Sequence, residues 1–191
     1  MSEPTRPVKT RAAQIPIPPQ PVIDPHAAAR LPGFPSVWNE GRTHRYTLWR
    51  WWRPQPQTFA VFIGLNPSAA DDQWDDRTVR RCSDFARREG VDALCMCNAF
   101  AFMATDPKGL YTHTDPVGAD NDLWLQRCSA GAAFTVAAWG AHGRHLGRGA
   151  AIAALLPGLR CLSITRAGDP GHPLYLRKDA PLRPWPELSA Q

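Results

Sequence analysis

Three side chains combine the right chemistry with the right kind of position. The stretch 61–82, VFIGLNPSAADDQWDDRTVRRC, runs from apolar residues straight into Gly64-Leu65-Asn66-Pro67-Ser68. An asparagine amide carries two donors and one acceptor. It is no general base at neutral pH, but it can hold and orient a water. Gly64 lets a ligand or another chain come close, and Pro67 fixes the backbone. Asn-Pro is also a plain turn signal. Asn98 closes a second apolar run, DALCMCNAFAF at 92–102. Its amide can cap the following turn, or read the edge of a base with a paired donor and acceptor. His172 lies between Gly171 and Pro173. A stiff loop presenting one imidazole suits electrophilic or proton-transfer work. His142, after Trp139-Gly140-Ala141, is a weaker rival.

Other polar clusters have simpler explanations. Asp71, Asp72, Asp75 and Asp76 resemble a cation site, but Asp75 and Asp76 suit helix capping. No His or Glu joins them at ligand spacing, so no metal is expected. Arg80 and Arg81 fall in the first turns of the expected helix, where the macrodipole disfavours cations. They need a partner, either those aspartates or a phosphate. The five cysteines, an odd number, argue against a disulfide framework. Cys95-Met96-Cys97 is spaced more tightly than a usual zinc pair, and buried thiols are expected there. The eight tryptophans read as packing, with a base-stacking platform as the alternative.

The elements that position these residues alternate. Strands are expected at 45–53, 58–65, 92–102 (ending near Asn98), 134–140 and 159–165. Helices are expected at 75–89, from about 119 to 131, and at 144–156, with a loop around Asp106-Pro107. Short apolar runs separated by amphipathic helices predict an α/β fold whose parallel sheet is covered on both faces. Ligands bind such sheets beyond the C-terminal strand ends, which is where Asn66, Asn98, Trp139 and His172 fall.

Residues 1–35 hold nine of the 20 prolines and show no period. A disordered basic tail is expected there, followed by one domain over 36–191. The net charge of +5 is mild. No apolar run reaches membrane-spanning length, and no signal-peptide core precedes the domain. A cytoplasmic protein without membrane contact is the default expectation.

Five segments in order carry a resemblance: FIGLNPSAADDQWDDRTVRRCSDFA, CNAFAFMATDP, VGADNDLWL, AAWGAHG and GHPLYL. They resemble a bacterial and phage family termed domain of unknown function 1643. Gly64-Leu65-Asn66-Pro67, Cys97-Asn98, Ala138-Trp139-Gly140 and His172-Pro173 are also similar to short motifs of the uracil-DNA glycosylase superfamily. That second resemblance implies a three-layer α/β/α fold around a four-stranded, mostly parallel sheet. It implies hydrolysis of an N-glycosidic bond to a base in DNA or a nucleotide, with no cofactor. Asn66 would orient the water, His172 would meet charge on the departing base, and Asn98 would select the base. Gly64, Leu65, Pro67, Ser68, Phe100, Arg81 and Trp139 complete the expected substrate contacts. Ser68 stands where the superfamily usually has glycine, and Leu174-Tyr175-Leu176 where it tends to small polar residues. An aspartate at position 66 is expected to raise the rate, because a carboxylate is a base and an amide is not. The alternative is a non-catalytic module that binds a nucleotide or single strand.

Overall fold

The computed structural model describes residues 36–68, 70, 74–104 and 107–185. The expected tail over 1–35 lies outside the described residues, as do Asp71 and Asp72. Strands β1 (Ser36–Trp38), β2 (Arg45–Trp51), β3 (Phe59–Gly64), β4 (Ala93–Asn98), β5 (Phe134–Ala137), β6 (Arg160–Cys161) and β7 (Arg183–Pro184) form one mixed sheet. Its order is β1-β2-β4-β3-β5-β6-β7. In place of the expected four-stranded sheet there are seven strands, of which the central four, β4-β3-β5-β6, are parallel. Antiparallel β1 and β2 flank one side, and antiparallel β7 the other. β1 and β7 have only three and two residues, too few to show an alternating pattern in sequence.

The helices are α1 (Arg77–Arg88), α2 (Pro107–Thr112), α3 (Asn121–Gly131) and α4 (Arg148–Leu155). Alternation along the strands divides the core. Val61, Ile63, Cys95 and Cys97 join Leu125, Cys128 and Ile152 of α3 and α4. Ala60, Phe62, Leu94 and Met96 join Val79, Cys82, Phe85 and Ala86 of α1. The central strands are therefore buried on both faces, which explains their unbroken apolar sequence. Full burial of a side chain such as Phe62 or Ile63 contributes roughly 1.5–3 kcal/mol.

Three expectations need correction. The loop expected near Pro107 gives way to α2, because proline is pre-set for the first helical position. The helix expected at 144–156 begins only at Arg148. Ala141–Gly147 is a 3-10 segment interrupted at His145 and at Leu146, whose φ is 53°. The strand expected at 159–165 pairs in the ladder only over Arg160–Cys161. Beyond it, Ile164 bridges to Pro170, the Thr165 amide donates to Asp169 (2.8 Å), and the Gly171 amide donates to Ser163 (2.8 Å). The apolar run thus leaves the sheet as a small hairpin that returns the chain to the strand ends at His172.

Candidate functional site

A cavity of about 630 Å³ opens where the parallel strands end. Gly64 and Asn98 are register partners at the last rungs of β3 and β4. The turn after β3 brings Asn66 and Ser68, the segment after β5 brings Trp139 to His142, and the hairpin after β6 brings His172. One cavity therefore gathers Gly64, Leu65, Asn66, Ser68, Asn98, Trp139 and His172. Pro67, Phe100 and Arg81 do not line it.

Asn98 is 5% exposed, yet its side-chain amide makes no hydrogen bond among the described residues. Its polar atoms open onto the cavity, so a ligand amide or imide with a paired donor and acceptor would be a fitting partner. Gly64 makes the arrangement possible. A Cβ there would stand 2.9 Å from Asn98 Oδ1, closer than real Cβ atoms approach.

Asn66 is oriented by its neighbours. Its Nδ2 donates to the carbonyls of Pro67 (3.0 Å) and Ala104 (2.9 Å). Both amide hydrogens are thereby committed, and only Oδ1 remains for the cavity. Asn66 is an acceptor there and nothing else.

His172 is half-buried. Its Nδ1 accepts a long bond from the Leu174 amide (3.4 Å), which leaves Nε2 to carry the hydrogen of the neutral ring. Burial pushes its pKa below the usual histidine value, and the negative charge of Asp76 partly offsets this. At neutral pH the imidazole is therefore an uncharged donor. Gly171 lets the hairpin close, since a Cβ there would meet Ser163 Oγ at 1.9 Å.

Arg81 holds this loop from α1. Its Nε donates to the Pro173 carbonyl (3.4 Å), and its terminal nitrogen donates to the Leu176 carbonyl. The partner that the cation needs near a helix N-terminus is thus the backbone of the histidine loop. Phe100 is fully buried in the core beside His145, with ring centroids 5.5 Å apart. Trp139 reaches the cavity, but its ring lies edge-on to Trp185 at 5.2 Å and is 2% exposed.

Two charged lining residues escaped the sequence reading. Asp76 caps α1 by accepting from the Val79 amide (2.8 Å), and its other oxygen accepts from the Ser68 hydroxyl (2.7 Å). Capping explained it fully in sequence and so concealed its place at the cavity. Arg45, buried on β2, donates to the Ala70 carbonyl. As a basic residue in a strand of mixed alternation it carried no signal.

The residues best placed to hold a metal lie elsewhere. The sulfurs of Cys95, Cys97 and Cys128 all fall within 4.8 Å of one another, and Cys95 and Cys97 are 3.7 Å apart. Cys128 comes from α3, which its distance in sequence hid. All three are buried. Burial pushes the Cys95 thiol well up, and hydrogen bonding to Cys128 does the same for Cys97. A thiophilic ion would have to displace these protons inside the apolar core.

Residues 45–174 match the family described as protein of unknown function, DUF1643. The chain belongs to this family. The match spans β2 to the histidine loop, and so includes every strand end that meets the cavity. No curated protein and no solved structure is matched. Among the described residues, no helix is long and apolar enough to cross a membrane.

Proposed function

We propose that this family member hydrolyses an N-glycosidic bond, releasing a base from a nucleic acid or nucleotide on a uracil-DNA-glycosylase-like, three-layer α/β/α fold. The observation that carries the reading is the amide of Asn98, without a hydrogen-bond partner among the described residues and open to a cavity shared with a neutral imidazole. A planar base has the paired donor and acceptor that such an amide lacks. Bond cleavage leaves negative charge on the base, and the Nε2–H of His172 is a fixed donor for it. Asn66 Oδ1 would accept from the attacking water and help aim it. No metal or cofactor takes part in these steps.

Mass spectrometry of bases released from a panel of modified DNA and nucleotides tests this. Wild type is expected to release at least one base. Asn98→Ala and His172→Ala should each slow release by about 100- to 1,000-fold while leaving the fold intact. One observation favours a second reading, a binding module for a nucleotide or single strand. Asn66 offers no base chemistry, and its amide hydrogens are already committed. Binding of a nucleotide without base release would support that alternative.

A further inference from the structure

Hydrolysis at a sugar carbon develops positive charge on the ring, and Leu65 to Ser68, which follow β3, hold no charge to meet it. Asn66 is neutral there. Among the described residues lining the cavity, Asp76 is the sole carboxylate. Resting on the glycosidic reading, we propose that Asp76 is a catalytic residue of this site, whose negative charge faces the sugar and whose pairing with Ser68 positions the attacking water.

Capping alone does not account for the geometry. A cap needs one oxygen, and Oδ1 fills that role at the Val79 amide (2.8 Å). Oδ2 turns instead to the Ser68 hydroxyl, 2.7 Å away, and both residues line the cavity. Each carboxylate oxygen thus has one donor of its own. Ser68, having donated its hydrogen, shows the cavity only lone pairs. Asn66 Oδ1 is likewise an acceptor, because its nitrogen is held by Pro67 and Ala104. The three groups therefore present acceptors alone. A water bound there gives them its hydrogens and turns a lone pair outward, as a nucleophile must.

The step balances without another reactant. The water oxygen bonds to the sugar carbon, the carbon–nitrogen bond breaks, and its electron pair stays on the base. The water proton passes to the acceptor wall at Asp76 and then to solvent. The departing base anion is held at His172 Nε2–H and takes a proton from solvent. The other ionisable side chains lining the cavity among the described residues are Arg45, His142, His172 and Tyr175.

Asp76→Asn is the discriminating variant, because asparagine caps a helix as well as aspartate does. Its thermal midpoint should match wild type, while base release should fall about 100- to 1,000-fold. Asp76→Asn at the wild-type rate, in a protein that does release a base, overturns the assignment and leaves the glycosidic reading standing. Wild type releasing no base overturns both. A titration of the His172 imidazole by NMR is independent of turnover. The ring in Asp76→Asn should protonate at lower pH than in wild type, since the charge favouring imidazolium is gone. An unchanged titration contradicts a carboxylate facing this cavity.

Discussion

At the β3–β4 end of the cavity, main-chain hydrogen bonding continues past the strands. The Ala99 amide donates to Gly64 (2.8 Å) and the Phe100 amide to Leu65 (2.9 Å). At the β5–β6 end the ladder has stopped, and His172 rides on a hairpin. That region is held to α1 by side chains. Arg81 grips the carbonyls of Pro173 and Leu176, and Arg88 those of Lys178 (2.8 Å) and Ala180 (2.7 Å). The amide end is therefore fixed by backbone bonds that side-chain truncation does not remove. The imidazole end depends on guanidinium groups that a single substitution does remove, so the two ends can be perturbed separately.

The largest effect should come from cutting the imidazole end loose. Arg81→Ala removes charged donors from two carbonyls, and should cost about 1.5–3 kcal/mol in urea unfolding. Hydrogen exchange at the Leu176 amide, which bonds to Pro173, should speed up, while Ala99 and Phe100 stay protected. Equal loosening at both ends would break the comparison.

At the amide end, Asn66→Asp should destabilise by about 1–3 kcal/mol at neutral pH. An ionised oxygen would then face the carbonyls of Pro67 and Ala104 in place of a donor. Stability and rate are separate readouts here, and the gain in rate expected from an aspartate is measured by base release. Unchanged stability would show that the turn rearranges freely.

Gly64→Ala should change stability by less than about 1 kcal/mol, because the Asn98 side chain can yield to the new Cβ. Its signature is a shifted Asn98 side-chain amide resonance with an unchanged His172 resonance. A shift at His172 would mean the two ends are coupled.

The smallest effect is that of pH. The folded-state pKa of His172 is lowered, so between that value and about 6.5 the unfolded chain binds more protons. Its contribution then makes stability fall as pH falls through that window. His172→Gln should lose this component, measured as a flatter dependence of thermal midpoint on pH. An equal slope in the variant would show that His172 titrates normally.

Continuous apolar runs between helices announced a parallel centre, and strand-end position alone brought Asn66, Asn98 and His172 under suspicion together. Other features were not legible, for specific reasons. β1 and β7 are too short to carry a period. The return of the chain at Ser163–Gly171 depends on local backbone bonds that begin inside a run read as one strand. Arg81 announced a conflict with the helix dipole, but its resolution by carbonyls about 90 residues away is tertiary. Asp76 had a sufficient local role as a cap, so nothing in sequence asked for a second one. Cys128 meets Cys95 and Cys97 only because α3 packs over β4.

The most direct test of the account is an NMR titration of the Asn98 side-chain amide and the His172 ring with a panel of free nucleobases. At least one base should shift both resonances together, with the effect lost in Asn98→Ala and retained in a surface variant such as Arg177→Ala. If no base perturbs either group, or if a base binds while both stay silent, the cavity is not a base pocket and the central claim is wrong.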